Sequence, residues 1–377
     1  MRTTERNSRL QQRGGGAPSF DFIDLFAGIG GMRLALERLG GQCVFSVERD
    51  KFARKTYEAN FECDHPFPRD IAEISLGRAG VPVPPHHFLA AGFPCQPFSL
   101  AGVSKKNSLG RPHGFECKTQ GTLFFEIAQI LKNRRPALFL LENVKNLRSH
   151  DGGRTFEIIE DTLKKDLKYH VVSHVVDARA FVPQHRERIF IAGFREPCGF
   201  GFDDLQWPDD EQPVLASILH GTIDDETPEE PYTSLPGITV SERYTLSEHL
   251  WEYLQAYAKK HRMKGNGFGY DLVDGFSVAR TLSARYHKDG SEILVDQSPR
   301  PRRLTPRECS RLMGFDSFIN GRFCINRVSD TQAYRKFGNA VVPQVVYTIA
   351  RGMLAAAAAA GYPEFGTWKS HERMASA

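Results

Sequence analysis

Short apolar runs alternate with amphipathic segments through the first half of the chain. Residues 20–26 form an apolar run that predicts a buried strand leading into a glycine turn. After the turn, Leu34, Leu36 and Leu39 recur at helical spacing until a pair of glycines ends the pattern. The same reasoning predicts strands at 43–47, 88–91, 137–141, 169–176 and 188–193, and helices at 51–60, 122–131 and 155–167. This alternation predicts an α/β fold with a doubly wound, mostly parallel sheet.

The pattern changes after about residue 195. Residues 196–240 are rich in Pro, Asp and Glu without a helical period, and 265–300 carry glycines, aromatics and basic residues in short irregular runs. We therefore expect a smaller, loop-rich domain at 196–302 beside a first domain at 20–195. A helical pattern returns from Leu304, so we assign 303–377 to a bracing segment that returns to the first domain. Residues 1–19 predict a flexible basic tail.

Composition sets broad limits on function. The chain has 377 residues with 41% hydrophobic and 25% charged side chains, typical of a globular protein. Its net charge of +4 permits a nucleic-acid partner without requiring one. The seven cysteines form no C-x-x-C pair, which argues against a zinc site and a disulfide framework and predicts a reducing, cytosolic compartment without a bound metal. No run reaches the roughly 18 apolar residues of a membrane span.

The glycine turn that follows the first strand predicts a ligand site. Gly28, Gly30 and Gly31 let a ligand approach the backbone, and the next helix offers unpaired N–H groups to an anion. The spacing lacks the third glycine of G-x-G-x-x-G, so the loop suits an anion smaller than a pyrophosphate. The amino-acid carboxylate of S-adenosylmethionine fits, although a plain glycine turn of any α/β protein stays open.

Two acidic residues extend this site. Glu48 follows the second predicted strand, where a carboxylate can accept both ribose hydroxyls of a nucleoside. Asp70 and Ile71 are expected to follow a third strand, where the acid can accept an adenine amino hydrogen.

Cys95 differs from the other six cysteines in its setting. It follows a buried strand, at the carboxyl end of the sheet where doubly wound folds place their sites, and Pro94 and Pro97 bracket it. The other six are better explained as small buried hydrophobic residues. Cys95 is thus the candidate nucleophile.

Five blocks of sequence, in the same order along the chain, resemble the DNA cytosine-C5 methyltransferase family. They are Phe26-Ala27-Gly28-Ile29-Gly30-Gly31, Gly92-Phe93-Pro94-Cys95-Gln96-Pro97-Phe98-Ser99, Glu142-Asn143-Val144, Gln184-His185-Arg186-Glu187-Arg188 and Gly338-Asn339-Ala340-Val341-Val342-Pro343. The resemblance implies an S-adenosylmethionine-dependent methyltransferase fold, a target-recognition domain at 196–302, duplex DNA as substrate and S-adenosylhomocysteine as product.

The resemblance also implies how the reaction proceeds. Cys95 would add to C6 of a cytosine flipped out of the duplex, which makes C5 nucleophilic. Glu142 would hydrogen-bond to N3 and the exocyclic amine, and Arg188 would donate to O2. Arg186 would organise the site or meet a phosphate.

Further contacts are implied by the same resemblance. Independently of the resemblance, the basic residues, glycines and prolines of 101–120 predict a mobile loop that closes over the flipped base and contacts phosphates, although an ordinary solvated loop stays open. The run 279–290 looks like that of methyltransferases acting on short palindromes beginning with CC, such as CC(A/T)GG, CCNGG or CCGG. The implied cofactor contacts are Phe26, Ala27, Gly28, Ile29, Gly30, Glu48, Arg49, Asp70, Ile71, Pro94, Leu123, Asn339 and Ala340. The expected DNA contacts are Ser99, Lys105, Lys106, Arg111, Arg280, Ser283, Arg285, Tyr286 and Lys288.

Three other functions compete with this one. An RNA cytosine methyltransferase would share Cys95 and Glu142, and a non-catalytic DNA-binding regulator could keep the fold. A nicotinamide oxidoreductase is disfavoured by the glycine spacing. The favoured interpretation is a monomeric enzyme of the bacterial cytosol, associated with the nucleoid, that modifies DNA for a restriction-modification system with a separate cognate endonuclease.

Overall fold

A computed structural model describes residues 19–75, 80–94, 123–208, 212–235, 238–319, 321–366 and 368. Several predictions fall outside these residues: the tail at 1–18, the loop at 101–120, the nucleophile Cys95 and the DNA contacts Ser99, Lys105, Lys106 and Arg111.

Within the described residues, six strands form one sheet in the order β2-β1-β3-β4-β6-β5. Only β6 runs antiparallel to its neighbours, so the predicted mostly parallel α/β sheet is confirmed. The strands are β1 (Phe20–Leu25), β2 (Gly41–Val47), β3 (Phe88–Gly92), β4 (Leu138–Val144), β5 (His170–Asp177) and β6 (Glu187–Phe194).

Helices cover both faces of this sheet. Successive strand residues point to opposite faces, and apolar side chains on both faces need to be buried. Phe20 and Phe22 of β1 pack into the core that α1 and α10 cover, whereas Ile23 and Leu25 pack into the core beneath α4 and α5. The helices of the described chain are α1 (Gly31–Arg38), α2 (Lys51–Asn60), α3 (Ile71–Ser75), α4 (Leu123–Arg134), α5 (Arg154–Asp161), α6 (Glu248–Met263), α7 (Pro306–Leu312), α8 (Phe315–Ile319), α9 (Asp330–Asn339) and α10 (Pro343–Ala359).

Two details differ from the sequence-based prediction. The strand expected before Asp70 does not form: the chain from Phe61 to Asp70 is irregular, and Pro66 and Pro68 in it lack the N–H groups that a strand ladder needs. Asp70 instead accepts a hydrogen bond from Ala72 N at 3.0 Å, at the start of α3. Strand β4 is longer than predicted, so Glu142 lies inside it rather than after it.

The later half of the chain contains short strands and one long helix that the sequence pattern did not predict. Helix α6 carries most of its residues exposed and stands over a small core of Leu246, Leu254 and Leu294. The two-residue strands are β7 (Thr233–Ser234), β8 (Thr239–Val240), β9 (Leu272–Val273), β10 (Leu294–Val295) and β11 (Arg302–Arg303). The domain boundaries at 195 and 302 stay a prediction.

Helices α9 and α10 return to the central sheet, where α10 packs against α1. The stretch Asp330–Ala359 has the length and apolar character of a membrane span, yet 67% of its most apolar window is buried in the protein. The stretch is also broken between α9 and α10, so we interpret it as core.

Candidate active site

The loop after β1 has a backbone that strongly favours glycine. Gly28 and Gly30 have φ of 56° and 92°, in the left-handed region. A β-carbon at Gly30 would also overlap the ring of Phe61. Gly30 N–H donates to Ala27 O at 2.8 Å, and α1 begins directly afterwards. The first turn of a helix has backbone N–H groups without intrahelical partners, so this loop can receive an anion.

The carboxylate of Glu48 lies against this loop. Its Oε2 accepts a hydrogen bond from Gly28 N at 2.8 Å, and its Oε1 accepts one from Asp50 N at 2.6 Å. Burial raises the pKa of Glu48, and both backbone hydrogen bonds oppose that rise. Lys336 of α9 pairs with Asp50 at 2.5 Å. The carboxylate is therefore fixed beside the glycine turn, where the sequence placed it.

The late segment 338–343 also reaches this loop. A β-carbon at Gly31 would lie 2.8 Å from Val341 Cγ2 and 3.0 Å from Val341 O, so the two backbones approach closely. Asn339 is exposed at the end of α9, and Ala340 beside it is buried. The structure thus brings the first and the last of the quoted blocks together.

The other predicted cofactor residues are placed less closely. Arg49 is exposed beside Glu48, and Ile71 is buried in the second core. Leu123 is half-buried at the start of α4, and Pro94 is exposed two residues after β3. Ile71 and Leu123 belong to the same apolar core as Phe26 of the glycine turn.

Glu142, which is buried, and Arg188, which is half-buried, form a pair between β4 and β6. Because Val144 pairs with Arg188 and Glu142 with Phe190 in register, the two charged side chains share one face. Arg188 Nε lies 3.1 Å from Glu142 Oε1. Burial raises the pKa of Glu142, and the positive charge of Arg188 opposes that rise. A raised pKa widens the pH range over which such a carboxyl is protonated and can donate a hydrogen bond.

Strand β3 ends beside this pair. Gly92 pairs with Glu142 in register, and a β-carbon at Gly92 would lie 3.4 Å from Glu142 Oε2. The chain then continues through Phe93 and Pro94 toward Cys95. Glycine at position 92 leaves the carboxyl free of contact with a side chain from β3.

Asn143 has a role that the sequence did not assign. It is buried, and its Nδ2 donates to Phe93 O at 2.8 Å, while its Oδ1 accepts from Val144 N at 2.8 Å. It therefore fixes the backbone two residues before Cys95. The position of Asn143 in the Glu-Asn-Val block was the only sequence signal for such a role. That signal could not identify its partner Phe93, which lies fifty residues earlier in the chain.

Arg186 is fully enclosed. Its guanidinium donates to Leu282 O at 3.0 Å, to Gly338 O at 2.9 Å and to Ala340 O at 2.6 Å. Only 1% of the residue is exposed, so it has no surface to offer a phosphate. Of its two predicted roles, this geometry fits the one that organises the site, by joining three segments.

The predicted DNA-reading run is anchored to the segment that precedes β6. Ala279 pairs with Gln184 in a parallel bridge, and Leu282 N donates to Gln184 Oε1 at 3.2 Å. Arg280 beside it is exposed and lies 3.3 Å from Asp271. The run that was predicted to read bases is thus held against the block that contains Arg186.

The remaining predicted DNA contacts divide into two groups. Arg285 and Lys288 are exposed, and Ser283 hydrogen-bonds to Glu292. Tyr286 is completely buried, and its hydroxyl donates to Ile293 O at 2.8 Å and accepts from Leu304 N at 2.7 Å. The prediction that Tyr286 contacts DNA does not fit this position, because its aromatic ring fills the core and its hydroxyl is satisfied.

Comparisons with known proteins agree with this geometry. A family model for C-5 cytosine-specific DNA methylases matches residues 20–355. The chain is 48% identical over 378 residues to the DNA-cytosine methyltransferase of Escherichia coli (strain K12), covering 88% of this chain and 77% of that one. It is 45% identical over 338 residues to the Type II methyltransferase M.DsaV of Dactylococcopsis salina, covering 88% and 85%. The solved Entamoeba histolytica methyltransferase EhMeth shares the fold, with a TM-score of 0.62 and 18% identity, over 89% of this chain and 98% of that one.

Proposed function

The chain belongs to the C-5 cytosine-specific DNA methylase family, and from that premise we propose that it methylates C5 of a flipped-out cytosine in a short duplex site through a covalent Cys95–C6 adduct. The methyl donor we propose is S-adenosylmethionine. The observation that carries the proposal is the pair of Glu142 and Arg188, 3.1 Å apart, beside the end of β3 that leads to Cys95. A carboxyl and a guanidinium so placed match the N3 and O2 edge of one cytosine.

The residues around the glycine turn fit S-adenosylmethionine. The α1 N-terminus and the positive-φ glycines suit its carboxylate, and Glu48 suits its ribose hydroxyls. When bound, this group supplies an electrophilic methyl. Glu48 already accepts two backbone N–H bonds, which leaves its remaining lone pairs for the ribose.

The chain's own residues would act on the cytosine. The Cys95 thiolate adds to C6, and the protonated Glu142 carboxyl donates to N3 and so stabilises the negative charge that spreads over the ring. Arg188 donates to O2. Asn143 fixes the loop that carries the nucleophile. After C5 has been methylated, its proton leaves to water while the C6–S bond breaks and releases the thiolate.

We propose further that the enzyme is the modification half of a restriction-modification system in the bacterial cytosol and acts as a monomer. The relatives named Type II methyltransferases support the first point. The domain division at 195 and 302 belongs to the same proposal. The six-stranded sheet, which lies wholly within 20–194, supports its first boundary.

Transfer of tritiated methyl groups tests the proposal. Wild-type protein is incubated with labelled S-adenosylmethionine and duplexes that contain CC(A/T)GG, CCNGG or CCGG, with tRNA as the alternative substrate. We expect label in at least one duplex and none in tRNA, and no label with Cys95→Ala. Label that Cys95→Ala still incorporates would refute the mechanism, and label in tRNA alone would refute DNA as the substrate.

The adduct can be tested separately with 5-fluorocytosine at the target position. Fluorine replaces the C5 proton that must leave, so the Cys95–C6 bond should persist and shift the protein on a denaturing gel. Cys95→Ala should give no shifted band. Glu142→Gln should give the same shifted band, but the band should form more slowly.

A further inference from the structure

An exposed aromatic and basic stripe runs along helix α6. Tyr253, Tyr257, Lys260 and Lys264 recur at spacings of four, three and four residues, which puts them on one helix face. Lys259 adds an exposed lysine in the same helical turn, about 100° around the helix from Lys260, and Phe268 follows in the chain after α6. We call these six residues the α6 stripe.

The exposed rings of the stripe contact one another through His261 in tilted and edge-on arrangements. Tyr253 is 55% exposed and its ring lies 6.1 Å from that of Tyr257, which lies 4.3 Å from His261. His261 in turn meets the edge of Phe268, which is 66% exposed, at 5.5 Å. Other faces of α6 bury Leu254 and pack Trp251 against Tyr270. Other residues of α6 therefore supply its contacts with the core, and the stripe is not needed for that packing.

The charge of the stripe has one sign. From Tyr257 to Lys264 the chain carries Lys259, Lys260, Arg262 and Lys264 without an acidic residue. None of the four forms an ion pair with a carboxylate among the residues that the structure describes. Basic residues in the last turn of a helix interact favourably with the helix dipole, but that interaction does not explain why aromatic rings are exposed beside them.

The stripe continues into the segment predicted to read DNA. Tyr270, which packs on Trp251 of α6 at 4.8 Å, precedes Asp271, which pairs with Arg280 at 3.3 Å. Ala279 beside Arg280 is bridged to Gln184, three residues before β6. One continuous piece of chain thus leads from the active site to α6.

We propose that the α6 stripe binds the phosphate backbone of duplex DNA outside the methylated site. From Tyr253 to Lys264 it spans about 17 Å of helix, at 1.5 Å per residue, which matches about five base pairs at 3.4 Å each. Lysine ammonium groups and tyrosine hydroxyls both donate to phosphate oxygens. A second copy of this basic chain, at +4, would be repelled by the same charges. The proposal rests on the proposed function only in requiring duplex DNA as the partner.

Salt-dependent binding tests this inference with matched variants. The α6 variant is Lys259→Gln/Lys260→Gln/Lys264→Gln, and the control is Lys164→Gln/Lys165→Gln/Lys168→Gln, three exposed lysines in the catalytic half. Glutamine and lysine have similar helix propensities, so both variants should keep their helicity. The DNA probes are one duplex that extends about two helical turns (~20 bp) beyond the methylated sequence on each side and one trimmed to about half a turn (~5 bp).

On the long duplex, the slope of log K against log salt should become shallower by about 2 to 3 in the α6 variant, at about 0.9 per lost phosphate contact. The control variant should keep the wild-type slope, and all three proteins should agree on the trimmed duplex. Equal slopes for wild type and the α6 variant on the long duplex would overturn the proposal. An equal decrease in slope in the α6 variant and the control variant would overturn it as well. Methylation of the trimmed duplex is recorded in parallel, and its absence in every protein would count against the proposed function instead.

Discussion

Replacing Arg186 by lysine separates an organising role from a chemical one. The guanidinium donates to three buried carbonyl oxygens, those of Leu282, Gly338 and Ala340. A lysine keeps the charge but has a compact ammonium that cannot span three acceptors in a fixed fork. If it keeps one bond, two charged hydrogen bonds worth about 1.5–3 kcal/mol each are lost. Allowing for relaxation, we expect Arg186→Lys to lower the free energy of unfolding by about 3 kcal/mol.

Urea denaturation followed by far-ultraviolet circular dichroism measures this loss as a lower midpoint. The matched control is Arg188→Lys, the same substitution two residues further along the chain. A lysine there can still pair with Glu142, so we expect a smaller loss of stability but a clear fall in the methylation rate. Unchanged stability in Arg186→Lys together with a hundredfold lower single-turnover rate would refute the reasoning, because it would place Arg186 at the reacting base.

Three other predictions concern the site directly. Burial raises the pKa of Glu142, and its protonated form is the hydrogen-bond donor, so the single-turnover rate should fall as pH rises through that pKa. Glu142→Gln should lower the rate about 10²–10⁴-fold and abolish this fall at alkaline pH. The same alkaline fall in both proteins would contradict the assignment. Gly30→Ala should lower the free energy of unfolding in urea by about 2–4 kcal/mol and weaken S-adenosylmethionine binding in calorimetry, because φ is 92° and the new methyl would overlap Phe61. The control Gly152→Ala, with φ of 67° and open space around it, should lower it by only about 1–2 kcal/mol. Equal losses of stability would show that the Phe61 ring moves aside without cost. Asn143→Ala leaves Phe93 O without its partner, so trapping on 5-fluorocytosine DNA should slow while cofactor affinity is kept, and unaltered trapping would rule out the positioning role.

Much of the sheet could be predicted from the sequence. Apolar runs of strand length and helical periods placed β1, β2, β3 and α2 close to their observed bounds, because these patterns report local geometry and burial. The glycine turn and the position of Glu48 followed from the same local reading. The strand before Asp70 was wrong because two prolines deny that segment its backbone pairing.

The sequence by itself determined the α/β class, the glycine loop and the residue types that suit the chemistry, since each depends on neighbours a few positions away. Only the tertiary structure decided which of these residues meet. Glu142 faces Arg188 because β6 inserts antiparallel between β4 and β5, an order that periodicity does not encode. Arg186 finds its acceptors 96 to 154 residues further along the chain, and Tyr286 turns into the core instead of toward DNA. Such contacts arise from the packing of distant segments, which local pattern cannot specify.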